Sequence, residues 1–266
     1  MLTSVRGLRA AKSLVLPFAG ATAAFLAVPA AAQMGDQTPN TDPVEEETSG
    51  PITVSANVAL TSEYRFRGVD LSGGDIAIQG GVDVAHESGF YVGTWASSLD
   101  EDTVGFGHTE LDIYGGWSGD LTEGLSGDIG VIQYVFPNAG PGDFDYTEFY
   151  ASLGFTLGPA EAALGVAYAP EQDSLGNDDN LYVYTDVSFG IPDTPVTLTG
   201  HLGYTDGFLT FTNDGDAFDW SVGGEVAIPD TPLSLGVAYV GAEGDIPAGA
   251  YDFVDDAVVV TLGASF

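Results

Sequence analysis

From Ile52 to the last residue, apolar side chains return at every second position in runs of about ten residues, with polar residues or glycine between them. A period of two is the mark of a strand with one greasy face and one wet face. The first run is Ile52, Val54, Ala56, Val58 and Leu60, a middle one Phe149, Ala151, Leu153, Phe155 and Leu157, and the last Val258, Val260, Leu262 and Phe266; twelve can be followed. Beyond residue 32 nothing approaches the apolar length of a membrane helix, which excludes a helical bundle. A chain patterned this way can enter a bilayer only as a closed barrel, because every backbone N–H and C=O must be satisfied within the sheet.

The connections decide between a soluble sandwich and a membrane barrel. Short turns, such as Glu87-Ser88-Gly89, Leu157-Gly158-Pro159, and IPDTP at 191–195 and again at 228–232, alternate with longer acidic loops at 100–107, 137–145, 171–179, 206–216 and 241–252. Short turns at one rim and long loops at the other are the habit of outer-membrane barrels. The expected fold is all-β: a transmembrane, antiparallel, up-and-down barrel of about twelve strands over residues 52–266. The repeated IPDTP suggests a duplicated hairpin, although Pro-Asp-Thr-Pro is also simply a good tight turn. Trp117, Tyr168, Tyr204 and Tyr239 fall where aromatic girdles meet the membrane interfaces.

Ahead of the barrel, Arg6, Arg9 and Lys12 precede an apolar stretch that ends in Ala30-Ala31-Ala32, the pattern of a secretory signal peptide over residues 1–32 with cleavage near Ala32/Gln33. Pro17 and Pro29 argue against an uncleaved anchor. Residues 33–51, rich in Pro, Gly, Thr and acids, read as a disordered periplasmic lead-in. After residue 32 only Arg65 and Arg67 stand against 39 carboxylates, a formal charge of −37. That excludes ordinary attraction to nucleic acid and makes cations the expected partners. With no cysteine, disulfides and thiolate metal sites are impossible.

Ser62-Glu63-Tyr64-Arg65-Phe66-Arg67-Gly68 resembles the opening signature of the TorF family of porins (Gcw_chp, conserved hypothetical bacterial outer-membrane proteins). Gln79-Gly80-Gly81-Val82-Asp83, the segment Ser88 to Ser97, Glu110 to Gly116, and Asp128 to Ile132 through Tyr134 and Pro137 continue the similarity, which is strongest before residue 155. The resemblance implies a channel in the outer membrane of a Gram-negative bacterium and names no substrate. A strand ending in Phe266 likewise resembles the terminal signal that such barrels present to the outer-membrane assembly machinery.

With the apolar face toward lipid, the opposite phase turns Asp83, Glu110, Asp112, Asp128, Glu148, Glu161, Asp186, Asp219 and Glu225 into the lumen. Arg65 and Arg67, read as an extension of the first strand, share that phase. Nine carboxylates against two guanidinium groups predict a cation-preferring pore lining. The competing reading has Arg65 and Arg67 bridging Glu110 and Asp112, locking the barrel shut. Inward glycines and serines predict an open path, and inward Tyr91 and Trp95 are candidate pore contacts.

Enzymatic chemistry finds little support. His86, His108 and His201 are the only histidines, and no G-x-S-x-G or H-E-x-x-H occurs. No cofactor is expected. Asn213-Asp214-Gly215-Asp216 offers oxygen ligands, with Asp214 and Asp216 the candidate metal residues, but it does not match a full calcium loop, and a solvated acidic rim is the preferred reading. The expected function is passive diffusion of small hydrated solutes, cations preferentially; the alternative is a non-conducting structural or adhesive barrel with cation-binding outer loops.

Overall fold

The computed structural model describes residues 50–103, 105–140, 144–210, 212, 215–243 and 252–266. The expected export segment with its cleavage boundary, nearly all of the lead-in, and Asp143 and Asp214 lie outside the described residues.

Twelve antiparallel strands close on themselves: β1 (Ile52–Thr61), β4 (Ala77–His86), β5 (Phe90–Ser98), β6 (Thr109–Thr122), β7 (Leu125–Val135), β8 (Tyr146–Leu157), β9 (Ala160–Gln172), β10 (Asp178–Gly190), β11 (Val196–Gly207), β12 (Asp216–Ala227), β13 (Leu233–Glu243) and β14 (Ala257–Ser265). Each pairs with its chain neighbour, and β14 returns to β1 with Thr61 opposite Thr261. Phe266 completes the seam, giving its N–H to Ala56 O at 2.8 Å and accepting from Ala56 N at 3.0 Å. The remaining two strands, β2 (Arg65–Phe66) and β3 (Val69–Asp70), pair only with each other.

Side-chain alternation is carried through every wall strand. The apolar phase faces outward: Ile129 is 61% exposed and Val222 65%, beside Val54, Ile78, Phe90, Phe149 and Leu198. So large an uninterrupted apolar exterior is intolerable in water and suited to hydrocarbon. Tyr168 and Tyr239 sit exposed on this face near the long-loop rim.

At one rim the turns are tight. Asp193 and Asp230 both adopt left-handed φ near 62°, and in each IPDTP turn the Thr N–H returns to the Ile carbonyl at 3.2 Å. The two copies therefore share one backbone solution, which the turn chemistry alone accounts for.

The largest departure from the sequence reading lies between β1 and β4. Arg65 and Arg67 do not extend the first strand. Arg67 and Gly68 take φ of 51° and 76°, the two left-handed central residues of a type I′ turn, so the chain folds into a two-residue hairpin with Phe66 opposite Val69. That hairpin turns inward: Tyr64 through Ser72 are all buried.

Candidate functional site

The site is the lumen, and the hairpin divides it. The wall order places β8, β9 and β10 across the barrel from β1, where the hairpin is rooted. Its tip reaches that far wall. Arg67 Nη2 lies 2.7 Å from Glu148 Oε2 on β8, and the guanidinium carbon lies over the rings of Phe66 (4.7 Å to the centroid) and of Tyr182 on β10 (4.3 Å). Burial alone would pull the Arg67 proton affinity down; the Glu148 carboxylate outweighs it and the net direction is upward, so the guanidinium stays charged. Gly68 presses on Asp219 of β12 and Ala242 of β13 so closely that no Cβ could fit there.

Arg65 is held at the root instead. It pairs with Glu63 and, at 3.1 Å, with Asp255, and it donates to the carbonyls of Gly68 (3.1 Å) and Phe253 (3.3 Å). Burial lifts the Glu63 carboxyl above its usual range, with Arg65 opposing. Thus the expected bridges from Arg65 and Arg67 to Glu110 and Asp112 are not what forms: the inward turn carries Arg67 to Glu148 on β8 and leaves Arg65 at the root with Glu63 and Asp255.

Around the hairpin, toward the long loops, the lumen is packed with rings. Tyr134 stacks on Tyr146 at 4.4 Å and meets Phe66 edge-on at 5.9 Å, while Tyr64 lies 5.6 Å from Trp95. Embedded among them, Glu110 and Asp112 are buried; Tyr64 donates to Glu110 at 3.3 Å, and neither Asp112 oxygen has a hydrogen-bond partner among the described residues.

Toward the short turns the inward face is mixed, with Tyr114, Tyr150 and Asp83 buried and Tyr91, Asp128, Glu161 and Asp186 partly exposed. Tyr114 donates to Asp83 at 2.6 Å, and Tyr91 to Asp128 at 2.8 Å while meeting the Tyr150 hydroxyl at 2.6 Å. Glu161 accepts weakly from Ser188 at 3.4 Å, and the Asp186 side chain is 46% exposed. Glu225 is on the inward face of β12. His201 joins the two levels, its Nδ1 at 2.5 Å from Asp186 and its Nε2 at 2.8 Å from Asp219 and from the Tyr182 hydroxyl. With both ring nitrogens taken by carboxylates, the imidazole has no free nitrogen to serve Ser221, its register partner on β12.

The inward glycines have a different use from the expected open path. Gly93, Gly116, Gly130 and Gly165 each lie opposite Tyr114, Tyr91, Tyr150 and Tyr184 in register, and a Cβ at any of them would collide with that ring. They are seats for tyrosines rather than gaps. Asp216 accepts from Tyr204 at 3.2 Å, and among the described residues no group of three acidic or histidine side chains converges to hold a metal.

Thus the nine carboxylates lie on the inner wall, in two environments, and Arg65 and Arg67 lie in the hairpin that fills it. What the sequence reading missed is the hairpin and the ring layer of Tyr134, Tyr146 and Tyr182; the available signal was Arg67-Gly68 between the short runs Arg65-Phe66 and Val69-Asp70.

Residues 45–266 match a family model described as a bacterial protein of unknown function, Gcw_chp. The chain belongs to the Gcw_chp family. No curated protein matches its sequence. In fold, this Gcw_chp barrel is similar to the NanC porin (TM-score 0.54, 11% identity, 80% of this chain and 99% of that one). It is also similar to the KdgM porin, solved in complex with disordered oligogalacturonate (TM-score 0.53, 6% identity, 80% and 97%). At such identities the likeness of the Gcw_chp chain to them is one of fold.

Proposed function

We propose that this protein is an outer-membrane, porin-like channel for passive diffusion of small solutes, with a preference for cations and no covalent chemistry. The observation that carries this reading is the distribution of charge on the inner wall. After residue 32 the only Lys or Arg side chains are Arg65 and Arg67, and both sit in the hairpin already paired to carboxylates. The short-turn half is left with Asp83, Asp128, Glu161, Asp186 and Glu225 and no Lys or Arg facing them. An acidic vestibule in a low-dielectric wall concentrates cations and repels anions. The apolar exterior, the rim asymmetry and the porin-like fold support the outer membrane, the short-turn rim then being periplasmic. The signal-like first 32 residues, the terminal Phe266 and the resemblance to TorF porins support the same placement and engagement of the assembly machinery.

One observation favours a second reading, a closed structural barrel: the hairpin spans the lumen and every residue from Tyr64 to Ser72 is buried. Planar-bilayer recording of the refolded protein under a salt gradient separates the two. The channel reading expects discrete steps and a reversal potential of cationic sign that diminishes in Asp186→Asn; a folded barrel that never conducts, or one that selects anions, rejects it.

A further inference from the structure

We infer that the far-wall pocket now occupied by Arg67 is a binding site for guanidinium-bearing solutes, in which Arg67 sits as a tethered occupant of the chain's own making. The inference goes beyond the channel reading and does not require the barrel to conduct.

Two independent features of the pocket point to a planar cation. The first is its occupant. A guanidinium lies over the Tyr182 ring of the wall at 4.3 Å and over the hairpin's own Phe66 ring at 4.7 Å, with one nitrogen at a carboxylate, which combines cation–π contact and a charge-assisted hydrogen bond in a water-poor site. The wall side is held rigidly. Tyr182 is pinned through its hydroxyl to His201 (2.8 Å) and Asp219 (3.1 Å), and Tyr134 donates to the same Glu148 oxygen at 3.3 Å. The second is what the occupant leaves unused. Glu148 is fully buried, yet its Oε1 has no hydrogen-bond partner, and Arg67 Nε and Nη1 have none either. Arg67 hangs from a left-handed residue at a turn tip and engages Glu148 through one nitrogen only. A free guanidinium, with no backbone to satisfy, can present two parallel N–H groups to both carboxylate oxygens. The pocket is therefore better matched to an untethered guanidinium than to the arginine in it. Asp112, fully buried with neither oxygen hydrogen-bonded among the described residues, lies in the same layer without competing for the seat.

The hairpin can yield the site. Among the described residues it shares no ladder with the wall, and its main-chain ties beyond itself include Asp70 N to Phe253 O (2.7 Å) and Asp100 N to Leu71 O (3.0 Å). An isolated two-stranded hairpin is marginal on its own. Gly73 and Gly74, both left-handed, form a pliable root on the β4 side.

The test is side-chain replacement in solution. Arg67→Ala removes the atoms whose shape ethylguanidinium reproduces. The refolded variant, checked for heat-modifiable gel migration, is titrated with ethylguanidinium chloride by calorimetry, and its melting midpoint is compared in equal sodium chloride. Saturable binding with a rising midpoint is expected in Arg67→Ala, binding weaker by about tenfold or more is expected in the unaltered protein, whose hairpin must first be displaced, and a similar affinity loss is expected on adding Glu148→Gln to Arg67→Ala. Ethylammonium, which cannot stack or pair bidentately, is expected to bind more weakly. Equal responses in Arg67→Ala and the unaltered protein, or no effect of Glu148→Gln, overturn the inference. If Arg67→Ala does not fold, Arg67→Lys retains the charge while giving up the planar fit, and it must bind ethylguanidinium more tightly than the unaltered protein does; failure to do so overturns the inference equally.

Discussion

Toward the long loops, the inward Tyr134, Tyr146 and Tyr182 are at most 3% exposed, and the hairpin fills what they leave. Toward the short turns, β7 and β10 carry Asp128 and Asp186, and β5 carries Tyr91, all of which keep partial exposure. The strands do not change between the two levels; what changes is whether a segment from outside the wall has entered. Charges in the long-loop half are therefore dry and either paired or stranded, and a dry charge is costly to disturb. In the short-turn half Asp128, Glu161 and Asp186 retain water, so removing one of these costs little stability and changes the field a solute meets.

Mutations that break this contrast should follow that order. The largest effect is expected from Glu148→Ala, which strands Arg67 against two rings: a loss of about 3–5 kcal/mol, read from urea unfolding of the refolded barrel. A loss below about 1 kcal/mol would mean that the hairpin relocates and the two halves are not so distinct. Next, Gly165→Val drives a side chain into Tyr184 and should cost about 1–3 kcal/mol by overpacking, whereas the same change at Gly140, where a Cβ meets nothing within 4 Å, should be near neutral. Equal costs at both would deny that the inward glycines are ring seats. Removal of Phe266 should cost about 1–2 kcal/mol through its two seam hydrogen bonds. Smallest in stability is Asp186→Asn, within about 1 kcal/mol, because the carboxylate is nearly half exposed and its partner His201 retains Asp219.

How much of this was legible depends on periodicity. The wall strands follow from side-chain alternation, which fixes the phase of Glu110, Asp112, Asp128, Glu148 and Asp186 without knowledge of their partners. The hairpin does not repeat, so no period marks it. Tyr64-Arg65-Phe66-Arg67 alternates as a strand would, and only Gly68 beside Arg67 hints at a reversal; that the reversal points inward is decided by rings on β7, β8 and β10, many residues away in sequence. For the same reason an inward glycine cannot be recognised as a tyrosine's seat until register places Gly165 beside Tyr184. Composition forecast the acidity of the lumen, and tertiary packing decided which carboxylates stay wet.

The central proposal is that the barrel conducts cations along its acidic inner wall and that the hairpin spanning the lumen sets the resistance. Single-channel recording of the unaltered protein beside a variant in which residues 65–70 are replaced by a short glycine-serine link tests it most directly. The account predicts small, cation-preferring steps for the unaltered protein and several-fold larger steps, still cation-preferring, for the trimmed one. A trimmed barrel that is folded yet conducts no more than the unaltered protein would contradict it.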